Sequence, residues 1–127
     1  SKMVKSIITV IVSLLLLIGG AVYEQIYVNS AFDELKNQAI IMQQKEADKT
    51  AAYDDALNLQ NFWIKEKEKM HAFVSHNDIK ELDMWIAEGA AFTKLKNYDE
   101  AMTKYCVIAD LCESIPKGYL IRFENVF

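Results

Sequence analysis

A chain of 127 residues has room for one domain of ordinary size and leaves none for a second fold. Hydrophobic residues make up 52% of it and charged residues 25%, and the longest apolar block sits near the start instead of being spread evenly. The balance of 18 acids against 14 bases, a net charge of −4, argues against nucleic acid as a partner.

From Ile7 to Tyr23 no charged residue occurs, and the run is almost wholly apolar. As a helix it is roughly 25 Å long, at the short end of what crosses a hydrocarbon core, with Lys5 able to snorkel and Tyr23 and Tyr27 suited to the interface. It reads as a transmembrane helix. A cleaved secretory signal is the competing reading, since Lys2 and Lys5 precede the run and Gly19, Gly20 and Ala21 are small, but the run is long for such a signal. Every acid lies after the run and only Lys2 and Lys5 lie before it. The positive-inside rule therefore puts residues 1–23 at the cytoplasmic face and in the membrane, and residues 24–127 outside the cytoplasm as a domain with charge about −6. Along the run Ser6, Ser13, Gly20 and Tyr27 recur every seven residues, with Thr9 on the same face. Small and hydroxyl side chains are what hold transmembrane helices together, so this stripe is a candidate packing surface.

Beyond Tyr23 there is one proline and little glycine, and no alternating run, so the outer domain is expected to be all-α. Phe32, Leu35, Ala39 and Met42 mark a helix over about 24–47, with no linker between it and the span. A second helix, about 50–73, carries Tyr53, Ala56, Leu59, Trp63, Met70 and Phe73 inward, and the alternating charges from Lys65 to Lys69 read as its solvated side. Asp78 and Glu81 have capping-box spacing for a third helix with core stripe Ile79, Leu82, Trp85 or Ile86, Gly89 and Phe92. Asn97 and Glu100 repeat that spacing before a fourth helix, Tyr98 to Ile115, with Ala101, Tyr105, Ile108, Ala109 and Cys112 inward. Pro116 is expected to end it, leaving Leu120, Phe123 and Phe127 to form a last turn against the bundle.

Gly89 inside a helix costs about 1 kcal/mol relative to alanine, and close approach of a neighbouring helix is the natural compensation. With Trp85, Phe92, the run Tyr98 to Ala101, and Tyr105, it keeps the spacing of a tetratricopeptide hairpin, although Glu88, Ile108 and Glu113 depart from that pattern. Tyr53 to Ala56 echoes Tyr98 to Ala101 at a distance of 45 residues, too far for a tandem array. The expected architecture is a transmembrane helix followed by a four-helix bundle or two αα-hairpins.

Little points to chemistry. His71 and His76, five apart across a helix end, are poor joint metal ligands. Cys106 and Cys112 point about 120° apart on one helix and read as buried free thiols. The paired acids Asp54 and Asp55, and Asp99 and Glu100, lie in first helical turns where the dipole favours them. No phosphate loop, nucleophile elbow or zinc-protease motif occurs, so neither catalysis nor a cofactor is expected. Trp63, Trp85 and Phe92, with Phe62 and Phe73, are the residues with which a ligand groove between hairpins would be lined, against the plainer reading that they fill the core.

The basic start with its Ile- and Leu-rich span, Tyr23 and Glu24 after it, the helix with Phe62 and Trp63 leading to Phe73 and to His76, Asn77, Asp78 and Ile79, and the closing Glu124 to Phe127 together resemble the domain-of-unknown-function family 4363 of endospore-forming Gram-positive bacteria. The resemblance implies a single-span, outward-facing helical protein, often encoded beside YetF-like membrane proteins, and brings no catalytic residues. The expected function is thus a non-enzymatic interaction or accessory subunit in the cell membrane, in contact with the lipid bilayer and with an integral membrane protein or a second copy of itself. The alternative is an extracytoplasmic helical-hairpin module that binds a small ligand or peptide.

Overall fold

In a computed structural model the chain forms four helices, α1 (Lys2–Ala47), α2 (Tyr53–Met70), α3 (His76–Lys94) and α4 (Tyr98–Val126). The structure describes residues 1–126, with side chains for residues 1–118. The expected packing of Leu120, Phe123 and Phe127 lies outside those described side chains.

The span and the first bundle helix are one uninterrupted helix of 46 residues, about 69 Å long. Its outer part buries Val28, Ala31, Phe32, Leu35, Ala39, Met42 and Glu46, a stripe at three- and four-residue intervals. Neighbouring helices close a ring: α1 packs on α2 and α4, and α3 packs on α2 and α4. Lys45 pairs with Asp55 while Tyr27 bonds Glu66, so α2 descends antiparallel to α1. Lys36 pairs with Glu113 while Gln43 bonds the Tyr105 carbonyl, so α4 descends as well. The turns 48–52 and 95–97 therefore lie at the end remote from the span, and the α2–α3 turn lies at the end nearest it. This is the bundle alternative of the expected all-α fold, with α1 carrying both the candidate span and the first bundle helix.

The core holds the expected Ala56, Leu59, Trp63, Met70, Ile79, Leu82, Ala101, Tyr105, Ile108, Ala109 and Cys112. Ile86 takes the interior position in place of Trp85, and Thr93 the one beside Phe92; both aromatic residues are half-buried. Tyr53 is exposed under Lys94, whose ammonium lies 5.3 Å from the ring centroid. Cys112 is buried, but Cys106 is exposed, because the six-residue spacing turns it about 120° away from the core-facing side.

Two boundaries differ from expectation. The α3 N-cap is Ser75, whose hydroxyl accepts from the Asp78 amide, so the capping pair begins three residues earlier and His76 opens the helix. Pro116 lies inside α4. Its ring fixes a φ compatible with helix and removes one backbone donor, and the anchoring of Ile108, Ala109, Cys112 and Ile115 in the core carries the helix up to it.

The remote turns are twins. In each the helix ends on a residue with left-handed backbone, Lys49 at φ 58° and Lys96 at φ 59°. The following amide reaches back to close the turn, Thr50 to the Lys45 carbonyl at 2.8 Å and Asn97 to that of Phe92 at 2.9 Å. Lysine in this conformation costs about 1 kcal/mol that glycine does not. Lys49→Gly and Lys96→Gly are each expected to raise the melting temperature of the full chain in detergent, by roughly 4 °C or more for a domain of this size. Equal or lower melting temperatures would mean that the lysine side chains contribute more than the backbone loses.

Candidate functional site

Of the residues on the small-side-chain stripe, Ser6, Thr9, Ser13 and Gly20 lie on the part of α1 that projects beyond the bundle, and all are exposed. The Thr9 hydroxyl donates to the Lys5 carbonyl at 2.9 Å within its own helix. A Cβ placed on Gly20 would meet nothing within 4 Å, so that surface is open. Around the stripe Leu14, Leu15, Leu16, Leu17 and Ile18 are also exposed, Leu16 to 72%. This segment is long and apolar enough to cross a membrane, and none of its window is buried against the rest of the chain.

Tyr27, the fourth member of the seven-residue repeat, belongs elsewhere. It is half-buried against the core and its hydroxyl donates to Glu66 at 2.6 Å. Burial first, and then the bonded Glu66 carboxylate, push this phenol up to about 12, so it keeps its proton as a donor. Glu66 and Lys67 are thus more than a solvated face: Lys67 lies 3.2 Å from Asp83, which also accepts the Trp63 indole N–H at 2.6 Å.

Trp63, Trp85 and Phe92 do not come together as one groove. Trp63 is sealed in the core, its ring 6.5 Å from that of Phe32. Trp85 and Phe92 lie two turns apart on another face of α3, where the Lys104 ammonium sits 5.2 Å from one ring and 5.6 Å from the other and 3.6 Å from Glu88. A lysine stem and its cation–π contacts already occupy that surface. An open groove of about 730 Å³ does lie beside α1 and α2 near the apolar segment, with Ile26, Ser30, Asp33, Asn37 and Phe62 among its lining, of which only Phe62 is an expected groove residue.

A buried polar cluster escaped the sequence analysis as well. Glu46, 1% exposed, brings one carboxyl oxygen to 2.5 Å from the Thr93 hydroxyl, which is also 2.9 Å from the Gly89 carbonyl; among the described residues the other carboxyl oxygen and the Tyr105 hydroxyl have no hydrogen-bond partner. Burial outweighs the Thr93 bond and raises the Glu46 carboxyl above its ordinary range. The signal was available: Glu46 and Thr93 each continue the apolar stripe of their own helix, four residues after Met42 and Gly89 respectively. Both sit at the same place relative to the twin turns, so this cluster is where the two hairpins meet. Among the described residues no group of three potential metal ligands comes together, and His71 and His76 lie 6.4 Å apart, ring centre to ring centre, beside the α2–α3 turn.

These features define a class of protein, an all-helical bundle whose first helix extends as one candidate membrane span. The chain belongs to the DUF4363 family, a domain of unknown function, whose family model matches residues 22–126. No curated protein and no solved structure matches the chain.

Proposed function

We propose that this protein is a non-enzymatic interaction subunit of the cell membrane, anchored by residues 1–23 with its N-terminus in the cytoplasm and its bundle outside. Its partner meets it within the bilayer, at Ser6, Thr9, Ser13 and Gly20, and is an integral membrane protein or a second copy of the chain. YetF-like membrane proteins, which the family resemblance implies as neighbours, are the first candidates.

The observation that carries this reading is the projection of the N-terminal part of α1 from the bundle with its apolar side chains exposed. Such a surface needs lipid or protein around it. Lipid tails match its leucines but gain little from a face of hydroxyls and glycine, where backbones of two helices approach closely.

The test exploits the open space at Gly20. Ser13→Leu with Gly20→Leu keeps the span apolar and fills the stripe at two exposed positions, and the Cβ added at Gly20 meets nothing within 4 Å. Co-purification of the membrane partner, or self-association, in mild detergent is expected to fall about tenfold, whereas Leu15→Ala with Ile18→Ala should change it little, a difference of about 1.4 kcal/mol in helix association. Equal behaviour of the two double variants would make the span a plain anchor.

A further inference from the structure

We infer that the α2–α3 turn, residues 71–75, is seated in the phospholipid headgroup layer and gives the bundle a second contact with the membrane beside the span. The inference rests on the reading of α1 as a membrane span and goes beyond it.

Three observations fix the height of this turn. First, α1 carries no glycine or proline between Tyr23 and Ala47, so the bundle is held on the span by continuous helix and not by a tether. Second, the first core residue, Val28, comes only five residues after Tyr23, about 7.5 Å along the axis. Third, the bond from Tyr27 to Glu66 sets the register of α2 at its lower end. A tyrosine on a helix leans toward the N-terminus, here toward the membrane, so Glu66 lies at or below the level of the Tyr27 backbone. From Glu66 the chain descends another five residues to His71, again about 7.5 Å. The turn therefore reaches the level of Tyr23, where the apolar run ends.

The polar layer of a bilayer is roughly 5–8 Å deep on each side, so a turn at that level lies inside it. Its side chains suit that layer. Lys69, His71 and His76 are exposed, and Lys69 makes no ion pair among the described residues. Ammonium and imidazole N–H groups are donors to phosphate oxygens. Phe73 is half-buried at the edge of the core, and Tyr23 is 71% exposed at the same height on α1. Aromatic rings that are apolar on one side and wet on the other are the usual residues of this zone.

The experiment uses the full chain in phosphatidylcholine nanodiscs. Cys106→Ser removes the exposed thiol, while Cys112 stays unreactive, buried with its thiol pushed up to about 12. Single nitroxides are then placed through Ala72→Cys and His76→Cys at the turn, Leu95→Cys at the remote end and Leu16→Cys in the span. The readout is spin relaxation by nickel chelated on a lipid headgroup, by nickel complex in water and by oxygen. Labels at 72 and 76 are expected to collide with headgroup nickel several-fold more often than the label at 95, and the label at 16 to respond to oxygen alone. If 72 and 76 behave like 95 while 16 still reports hydrocarbon, the span stands and the second contact is refuted. If 16 is relaxed by the aqueous complex, the span reading fails and takes this inference with it.

Discussion

Gly89→Leu is expected to lower the stability of the bundle by about 3 kcal/mol or more, a fall in melting temperature of roughly 12 °C or more for a domain of this size. A Cβ at this position would already stand 3.0 Å from Cζ of Tyr105 and 3.3 Å from both Cε atoms. The ring has no room to retreat, since Tyr105 is fully buried on α4. Alanine at 89 would gain about 1 kcal/mol of helix propensity and lose some of it to the contact, whereas leucine adds three further carbons that have no place between α3 and α4. The specific cause is tested by a double-mutant cycle. In a Tyr105→Ala background the space vacated by the ring should accept the leucine, so the Gly89→Leu penalty should shrink by about 2 kcal/mol. An unchanged penalty in that background would place the obstacle elsewhere and break the link between Gly89 and helix approach.

Much of the fold was legible because it is written in periodicity. Phe32, Leu35, Ala39 and Met42 on α1, and Ala101, Tyr105, Ile108 and Cys112 on α4, are apolar residues at helical spacing that end up in the core. The absence of any breaker after Tyr23 foretold the continuous α1, and the unexplained Gly89 foretold a close neighbour, which is Tyr105.

The misreadings have local causes. Ser75 and Asp78 form the capping pair, but Asp78 and Glu81 offer the same spacing three residues later, and pattern alone does not choose between overlapping frames. Pro116 reads as a stop because an interior proline removes a backbone bond; packing elsewhere in α4 tolerates that loss. The seven-residue repeat runs on to Tyr27 in the sequence, because periodicity does not register that α1 leaves the apolar segment and enters the bundle, where Tyr27 bonds Glu66.

The candidate site was legible to a lesser degree. A surface for another transmembrane helix is made of small side chains that leave no chemical signature, and Trp63, Trp85 and Phe92 look alike in sequence whether they line a groove or fill a core. The polar contacts were hidden for a different reason, since Tyr27 and Glu66 are 39 residues apart and Glu46 and Thr93 are 47 apart. Only the presence of an acid on an otherwise apolar stripe announced the latter pair.

That acid gives the last prediction. Thr93 has one hydroxyl proton and two acceptors within reach, the Gly89 carbonyl and Glu46. Both contacts are filled if Glu46 carries a proton, donates to the Thr93 oxygen, and Thr93 donates to Gly89. Glu46 then stays neutral in the fold above the ordinary carboxylate pKa, in line with the direction in which burial drives it, while nearby Asp55, held ionised by the Ala52 amide and by Lys45, adds to the cost of a second negative charge. An acid whose folded pKa is raised leaves stability untouched below its unfolded pKa, near 4.3, where both states are protonated. As pH climbs from there to the folded value, the unfolded chain releases the proton and the fold does not, so stability declines by up to about 1.4 kcal/mol per pH unit and then levels off. Asp55 works in the opposite sense, its depressed pKa favouring the fold above its unfolded value, so the parent alone is a poor reporter. The difference between parent and Glu46→Gln isolates the carboxyl, because glutamine keeps the shape, can donate to Thr93 and does not titrate. Denaturant unfolding of the full chain in detergent from pH 4 to 8 is expected to show the two nearly equal at pH 4 and Glu46→Gln increasingly the more stable as pH rises to 8. Parallel curves would mean that Glu46 is ionised in the fold, accepts the Thr93 proton and leaves the Gly89 carbonyl to its helix bond alone.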